Sequence, residues 1–227
     1  MPIFFQQEIA NETKLGVWKI EEPEEFFLQH VVPQRNVRNP HKRLQHLAGR
    51  FLLKYLFPDF PTQLVLIADT RKPFLDDEAY HFSISHCGNY AAALASKINR
   101  VGVDVEILSD KAEKIKNKFL SEEEWPIISR ESTVSSSENQ STSPHLNDTV
   151  GEELINLSTL LWSCKEAVFK WYGRGGVDFK EDIIIKSIIA VNIKNFETIV
   201  LFKKNDSMYL NLHSAIFDEV CLSWVIT

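Results

Sequence analysis

An α+β fold made of two similar α/β halves in one chain is the architecture the sequence predicts. A helical period followed by short strand-like runs occurs twice, once on each side of a boundary at residues 107 and 108. Hydrophobic residues make up 44% and charged residues 25% of the 227 positions, the balance of a globular chain that buries a full core. One stretch, 129–149, is rich in Ser, Thr and Asn and holds almost nothing to bury, so a mobile surface loop is expected there.

In the first half, Leu44, Leu47, Ala48, Phe51, Leu52, Tyr55 and Leu56 recur at helical spacing and predict an amphipathic helix over 41–57. Pro40 suits a first turn and Pro58 stops the helix. Strand-like runs follow at 64–68, 81–85, 90–96 and 101–106. In the second half, 157–172 reads as a helix that Gly173-Arg174-Gly175-Gly176 ends. Further strands are expected at 183–188, 198–203, 208–213 and 220–225. The expected domains are therefore 1–107 and 108–227, packed side by side with a site at the seam between them.

Charge and cysteine usage exclude several classes of function. Asp and Glu number 31 against 25 Lys and Arg, a net charge of −6, which argues against a general nucleic-acid binder. Cys87, Cys164 and Cys221 are too few and too scattered for a disulfide framework or a zinc ribbon, and they fit a reducing, cytoplasmic setting. No apolar run reaches the length of a membrane span, and the first residues lack the basic, then apolar, pattern of a secretory leader.

Four constellations can carry chemistry. In Val101-Gly102-Val103-Asp104-Val105-Glu106, strand alternation puts the valines on one face and Asp104 with Glu106 on the other. Paired carboxylates repel unless a positive group lies between them, and a hard divalent cation answers that. An ordinary strand with a solvated polar face has the same pattern. Trp162, Glu166 and Lys170 are four apart on the second helix and share a face, which also describes a plain surface ion pair. Lys72-Pro73, then His81-Phe82-Ser83-Ile84-Ser85-His86 before Gly88, forms a polar strand end able to donate to a phosphate, or an ordinary turn. Arg35, Arg38, Lys42, Arg43 and Arg50 gather around the first helix, as for a polyanionic ligand or a solvated face. Together they form a kit for phosphate-ester chemistry through Mg²⁺. There is no P-loop or kinase-type glycine loop.

At these residues the sequence resembles the 4′-phosphopantetheinyl transferases of the larger, surfactin-synthetase-activating type. Lys72-Pro73 with Phe82-Ser83-Ile84-Ser85-His86 is similar to that family's K-P…F-x-[IV]-S-H. Gly102 to Glu106 is similar to G-[IV]-D-[IVL]-E, and Trp162 to Ala167 with Lys170 to W-x-x-K-E-[AS]-x-x-K. Phe119-Leu120-Ser121 with Glu124 fits a further family segment between the last two.

The resemblance implies a single-chain pseudo-dimer, acting as a monomer, with its active site at the seam. The implied reaction transfers the 4′-phosphopantetheine arm of coenzyme A to a serine of an acyl or peptidyl carrier protein and releases 3′,5′-ADP, with Mg²⁺ or Mn²⁺. By the same resemblance Asp104, Glu106 and Glu166 hold the metal, and Glu166 also serves as base. Lys170, with Lys165 in a lesser role, neutralises the phosphate under attack. Ser85 and His86 meet coenzyme A phosphates, and Lys72 and Pro73 line the nucleotide end. Relatives carry a basic residue where this chain has Gln45, so Arg43, and Arg50 or Lys42, take that phosphate contact. A coenzyme A-binding sensor without catalysis is the rival reading. Lys111, Lys114, Lys116 and Lys118 offer a local basic patch for an acidic carrier.

Overall fold

The computed structural model describes residues 3–33, 36–128 and 145–227, with side chains in the last stretch from residue 151. Antiparallel sheets with helices laid on them make the protein α+β. The chain forms two compact units. Unit 1 takes Met1–Val105, Ala167–Gly175 and Trp224–Thr227; unit 2 takes Glu106–Glu166 and Gly176–Ser223. A cut between residues 107 and 108 falls close to the first of these junctions, but unit 1 also draws on two later stretches.

Unit 1 opens with a hairpin that the hydrophobic pattern does not announce, β1 (Ile3–Ala10) and β2 (Thr13–Lys19). β1 is a half-exposed edge strand, so few of its side chains need be apolar. After the short α1 (Glu24–Leu28) comes α2 (Pro40–Leu56), one residue ahead of the expected helix. Asn39 starts α2: its side-chain oxygen accepts from Lys42 N at 3.0 Å, and Pro40 follows in the first turn. A small ribbon of β3 (Leu66–Ile67) and β4 (Pro73–Phe74) precedes β5 (His81–Cys87) and β6 (Tyr90–Ser96). The sheet order is β1-β2-β6-β5, antiparallel throughout.

All seven residues of β6 are buried, and four of them are alanine. Ala91, Ala93 and Ala95 share a core with Trp18, Phe27, Leu47 and Leu52, so their small side chains let α2 lie close over the middle of the sheet. The approach is tight at Gly49, where a Cβ would come within 2.6 Å of Ile84 Cγ2 on β5. Wholly buried Leu47, Leu52 and Leu53 each contribute on the order of 1.5–3 kcal/mol.

β7 (Val101–Ile107) begins in unit 1 and ends in unit 2, where α3 (Asp110–Phe119) follows. The long helix α4 (His145–Tyr172) begins twelve residues before the expected start at 157. Residues 145–149 of the expected loop are therefore helical, and 129–144 lie outside the described residues. The remaining strands are β8 (Ile183–Ala190), β9 (Asn195–Phe202), β10 (Met208–Phe217) and β11 (Val220–Ile226), in a sheet of order β7-β11-β10-β9-β8. Each expected strand appears here, with ends displaced by one to four residues. Within unit 2, Cys164 of α4 sits over the sheet, its sulfur 3.5–3.8 Å from the hydroxyls of Thr198 on β9, Ser214 on β10 and Ser223 on β11. Among the described residues no helix is long and apolar enough to cross a membrane.

Gly102 marks where β7 passes the end of α4 inside unit 1. A Cβ there would lie 2.2 Å from Ala167 O and 2.7 Å from Trp171 N, both backbone atoms that cannot swing aside. Gly102→Ala should therefore destabilise the protein by about 1–3 kcal/mol or more, read as a lowered urea midpoint.

Candidate functional site

Asp104 is the best-defined of the expected site residues, with only 2% of its surface exposed. Its Oδ1 accepts from the Ser85 hydroxyl at 2.8 Å and from Lys170 Nζ at 2.5 Å. Lys170 Nζ also donates to Ser85 Oγ at 2.7 Å, closing a three-membered ring of contacts within unit 1. Alternation along β5 supplies the serines: Phe82 points into the core while Ser83 and Ser85 reach β7. Ser83, which sequence reasoning left without a role, accepts from Val103 N at 3.1 Å and fixes β7 beside β5.

The second oxygen of Asp104, Oδ2, is buried and has no hydrogen-bond partner. An ionised carboxylate oxygen in that condition is costly unless a donor or cation reaches it. Oxygen ligands suit a hard cation such as Mg²⁺ or Mn²⁺, so the residue present fits the implied metal. Among the described residues, no group of three or more His, Cys, Asp or Glu side chains is placed to hold a metal ion. Glu106, two residues along β7, is half-buried and accepts from Trp162 Nε1 at 3.1 Å within unit 2. Glu166 is half-buried on α4, one turn before Lys170.

Lys72 and Pro73 meet the C-terminal end of α4. With Ile84, Phe169, Lys170 and Gly173 they line a cavity of about 190 Å³. A neighbouring cavity of about 420 Å³ adds His81, Arg100, Tyr172 and Arg174 to Lys72 and Pro73. Gly173 has φ +68°, and the Lys72 stem lies where a Cβ would be, so glycine both turns the chain and admits the lysine. Arg100, unforeseen from the sequence, caps α4: its guanidinium donates to Trp171 O at 2.9 Å and to Tyr172 O, and stacks 4.7 Å above the Trp171 ring.

Two of the basic residues at the first helix, Arg43 and Arg50, are engaged by the protein itself. Arg43 makes a two-point contact with Glu24, both bonds at 2.7 Å, and donates to Val37 O. Arg50 is 4% exposed, with its Nη1 2.9 Å from His46 Nδ1, which corrects the expectation that it faces coenzyme A. Gln45, at the position where relatives are basic, is buried and donates to Gly88 O at 2.7 Å, holding α2 to the β5–β6 turn. His86 is exposed on β5. Arg35 lies outside the described residues.

Lys165 requires a second correction. It is wholly buried, and its Nζ meets Phe119 O, Phe179 O, Ile183 O and the Glu124 carboxylate at 2.7–2.9 Å. Those acceptors use all three of its protons, so none remains for a phosphate. Glu124, also wholly buried, accepts from Ser121 N and Oγ and from Ile185 N. Helical spacing separates this inward lysine from Lys170, since five residues turn about 140° around a helix. Lys165 falls in line with buried Leu161, Val168 and Tyr172, whereas Lys170 shares a face with Trp162 and Glu166. Burial pushes the Lys165 pKa down, and the Glu124 charge opposes that shift.

Two outcomes follow. Lys165→Met leaves Glu124 charged and buried without its cation, so urea unfolding should show a loss of about 3–5 kcal/mol, and Lys165→Met with Glu124→Gln should lose less. Burial, with Arg100 nearby, lowers the Lys72 pKa from 10.5 to about 8. Between those values the unfolded chain keeps a proton that the folded one has released, so the Lys72 contribution to stability rises with pH. Below that window both states are protonated and the burial cost is fully present. Wild-type stability minus that of Lys72→Met should climb across the window and be flat beneath it.

No curated protein matches the sequence. The family model described as the 4′-phosphopantetheinyl transferase superfamily matches residues 100–222, more than half of the 227-residue chain. The matched span holds β7 with Asp104 and Glu106 and the part of α4 that carries Lys165, Glu166 and Lys170. The chain therefore belongs to the 4′-phosphopantetheinyl transferase superfamily.

Proposed function

We propose that the protein transfers the 4′-phosphopantetheine arm of coenzyme A to a serine of an apo acyl or peptidyl carrier protein, releasing 3′,5′-ADP. The single observation that carries this reading is Asp104, buried, tied to Lys170 and Ser85, and left with one unpartnered oxygen inside the span matched by the family. On this reading the chain is of the larger, surfactin-synthetase-activating type, a pseudo-dimer of 1–107 and 108–227 that works as a monomer in the cytoplasm.

Asp104, Glu106 and Glu166 are the proposed ligands of Mg²⁺ or Mn²⁺. Bound there, the ion would withdraw charge from the pyrophosphate and improve 3′,5′-ADP as a leaving group. Glu166, directly or through a water, takes the proton of the carrier serine. The serine Oγ then bonds to the phosphorus of the pantetheine side, and the bond from that phosphorus to the bridging oxygen breaks toward 3′,5′-ADP. Lys170 supplies positive charge beside the reacting phosphate. Lys72 and Pro73 line the nucleotide end, where Arg100 and Arg174 share a cavity with them, and His86 meets a coenzyme A phosphate. Arg43 reaches a coenzyme A phosphate by exchanging its Glu24 contact for it.

Intact mass spectrometry tests the reading. An apo acyl carrier protein incubated with this protein, coenzyme A and Mg²⁺ should gain the mass of one phosphopantetheine arm. Chelation of the metal should abolish the gain, and Glu166→Gln should slow it by about 10²–10⁴-fold. Absence of any gain across unrelated acyl and peptidyl carriers would overturn the proposal.

A further inference from the structure

We propose that Ser85 is a positioning residue for the cation: its hydroxyl, together with Lys170, occupies Oδ1 of Asp104 and leaves Oδ2 as the oxygen that ligates. The inference rests on the metal reading above and departs from the expectation that the Ser85 side chain meets a coenzyme A phosphate.

A carboxylate has two oxygens and a freely turning terminal torsion, so a buried aspartate needs something to fix which oxygen faces the ion. Here that fixing is complete on one side. Oδ1 takes two donors, Ser85 Oγ at 2.8 Å and Lys170 Nζ at 2.5 Å, while Oδ2 takes none. The Ser85 hydroxyl has one proton, and it is directed to Asp104; its lone pair receives Lys170. A hydroxyl committed on both counts is not available as a phosphate donor. The scaffold is rigid: Ser85 is 5% exposed on β5, paired with Ala92 of β6, and the adjoining Ser83–Val103 bond fixes β7 against it. Lys170 alone cannot do this work, because its long stem is partly exposed and turns easily.

Such supporting hydrogen bonds to a ligating carboxylate are worth roughly 10–100-fold in metal affinity. The test is Mn²⁺ binding to the full chain without carrier, followed by electron paramagnetic resonance of the free ion. Coenzyme A binding in chelator is measured alongside by calorimetry. Ser85→Ala should weaken Mn²⁺ by about 10–100-fold and leave coenzyme A binding unchanged, and Ser85→Thr, which keeps the hydroxyl, should recover the affinity. Unchanged Mn²⁺ affinity in Ser85→Ala, with coenzyme A binding lost instead, would overturn the positioning role. Asp104→Asn separates the two levels: if it removes Mn²⁺ binding while Ser85→Ala does not, only the inference on Ser85 fails. If Asp104→Asn leaves Mn²⁺ binding intact, Asp104 is no ligand and the metal assignment fails with it.

Discussion

A carboxylate with 2% exposure must be neutralised by its surroundings, and much of the first unit is arranged around that demand at Asp104. The strand that bears it is tied through Val103 N to Ser83, and the carboxylate itself to Ser85 and to Lys170 near the end of α4. Gly102 gives the clearance that lets the helix come close enough for Lys170 to reach. Arg100 then satisfies the last carbonyls of that helix, and Lys72 lies along the glycine that ends it. Strand, helix end and turn are each shaped by the same buried charge.

A second buried charge plays a different part. Lys165 and Glu124 satisfy one another and gather backbone groups from Phe119, Phe179, Ile183 and Ile185. No polar atom of this pair is left open, so its chemistry is spent on holding the second unit together. At Asp104 one oxygen is left open, and that difference separates a structural ion pair from a candidate reacting centre.

The repetitive parts of the fold were legible because they rest on side-chain period. α2, β6 and β7 are found where the apolar pattern puts them: Leu47 and Leu52 recur on one helix face, and the two strands are short apolar runs buried along most of their length. β1 escaped notice because an exposed edge strand imposes no such pattern. The early start of α4 escaped because polar residues fit a helix as well as a loop. At the site, motif spacing pointed to Asp104, Ser85 and Lys170, and the structure brings these three into contact. Spacing could not name the acceptors that satisfy Lys165, because Phe119, Glu124, Phe179 and Ile183 are brought to it only by the fold.

The make-up of unit 1 has a consequence for synthesis. Its first 105 residues contain both partners of the hairpin, α2 and the alanine strand, yet the helix end that Gly102 and Lys72 pack against belongs to residues 167–175. A further piece comes from residues 224–227, where Thr227 pairs with Arg100 in both directions and receives the Trp171 indole. A ribosome adding about 5–20 residues per second delivers the first of these pieces only after residues 106–166 of the second unit, and the last only after residues 176–223. Vectorial, first-come folding is therefore closed to the unit that is synthesised first, and Asp104 waits, without the Lys170 ammonium, through the synthesis of the residues that separate the two.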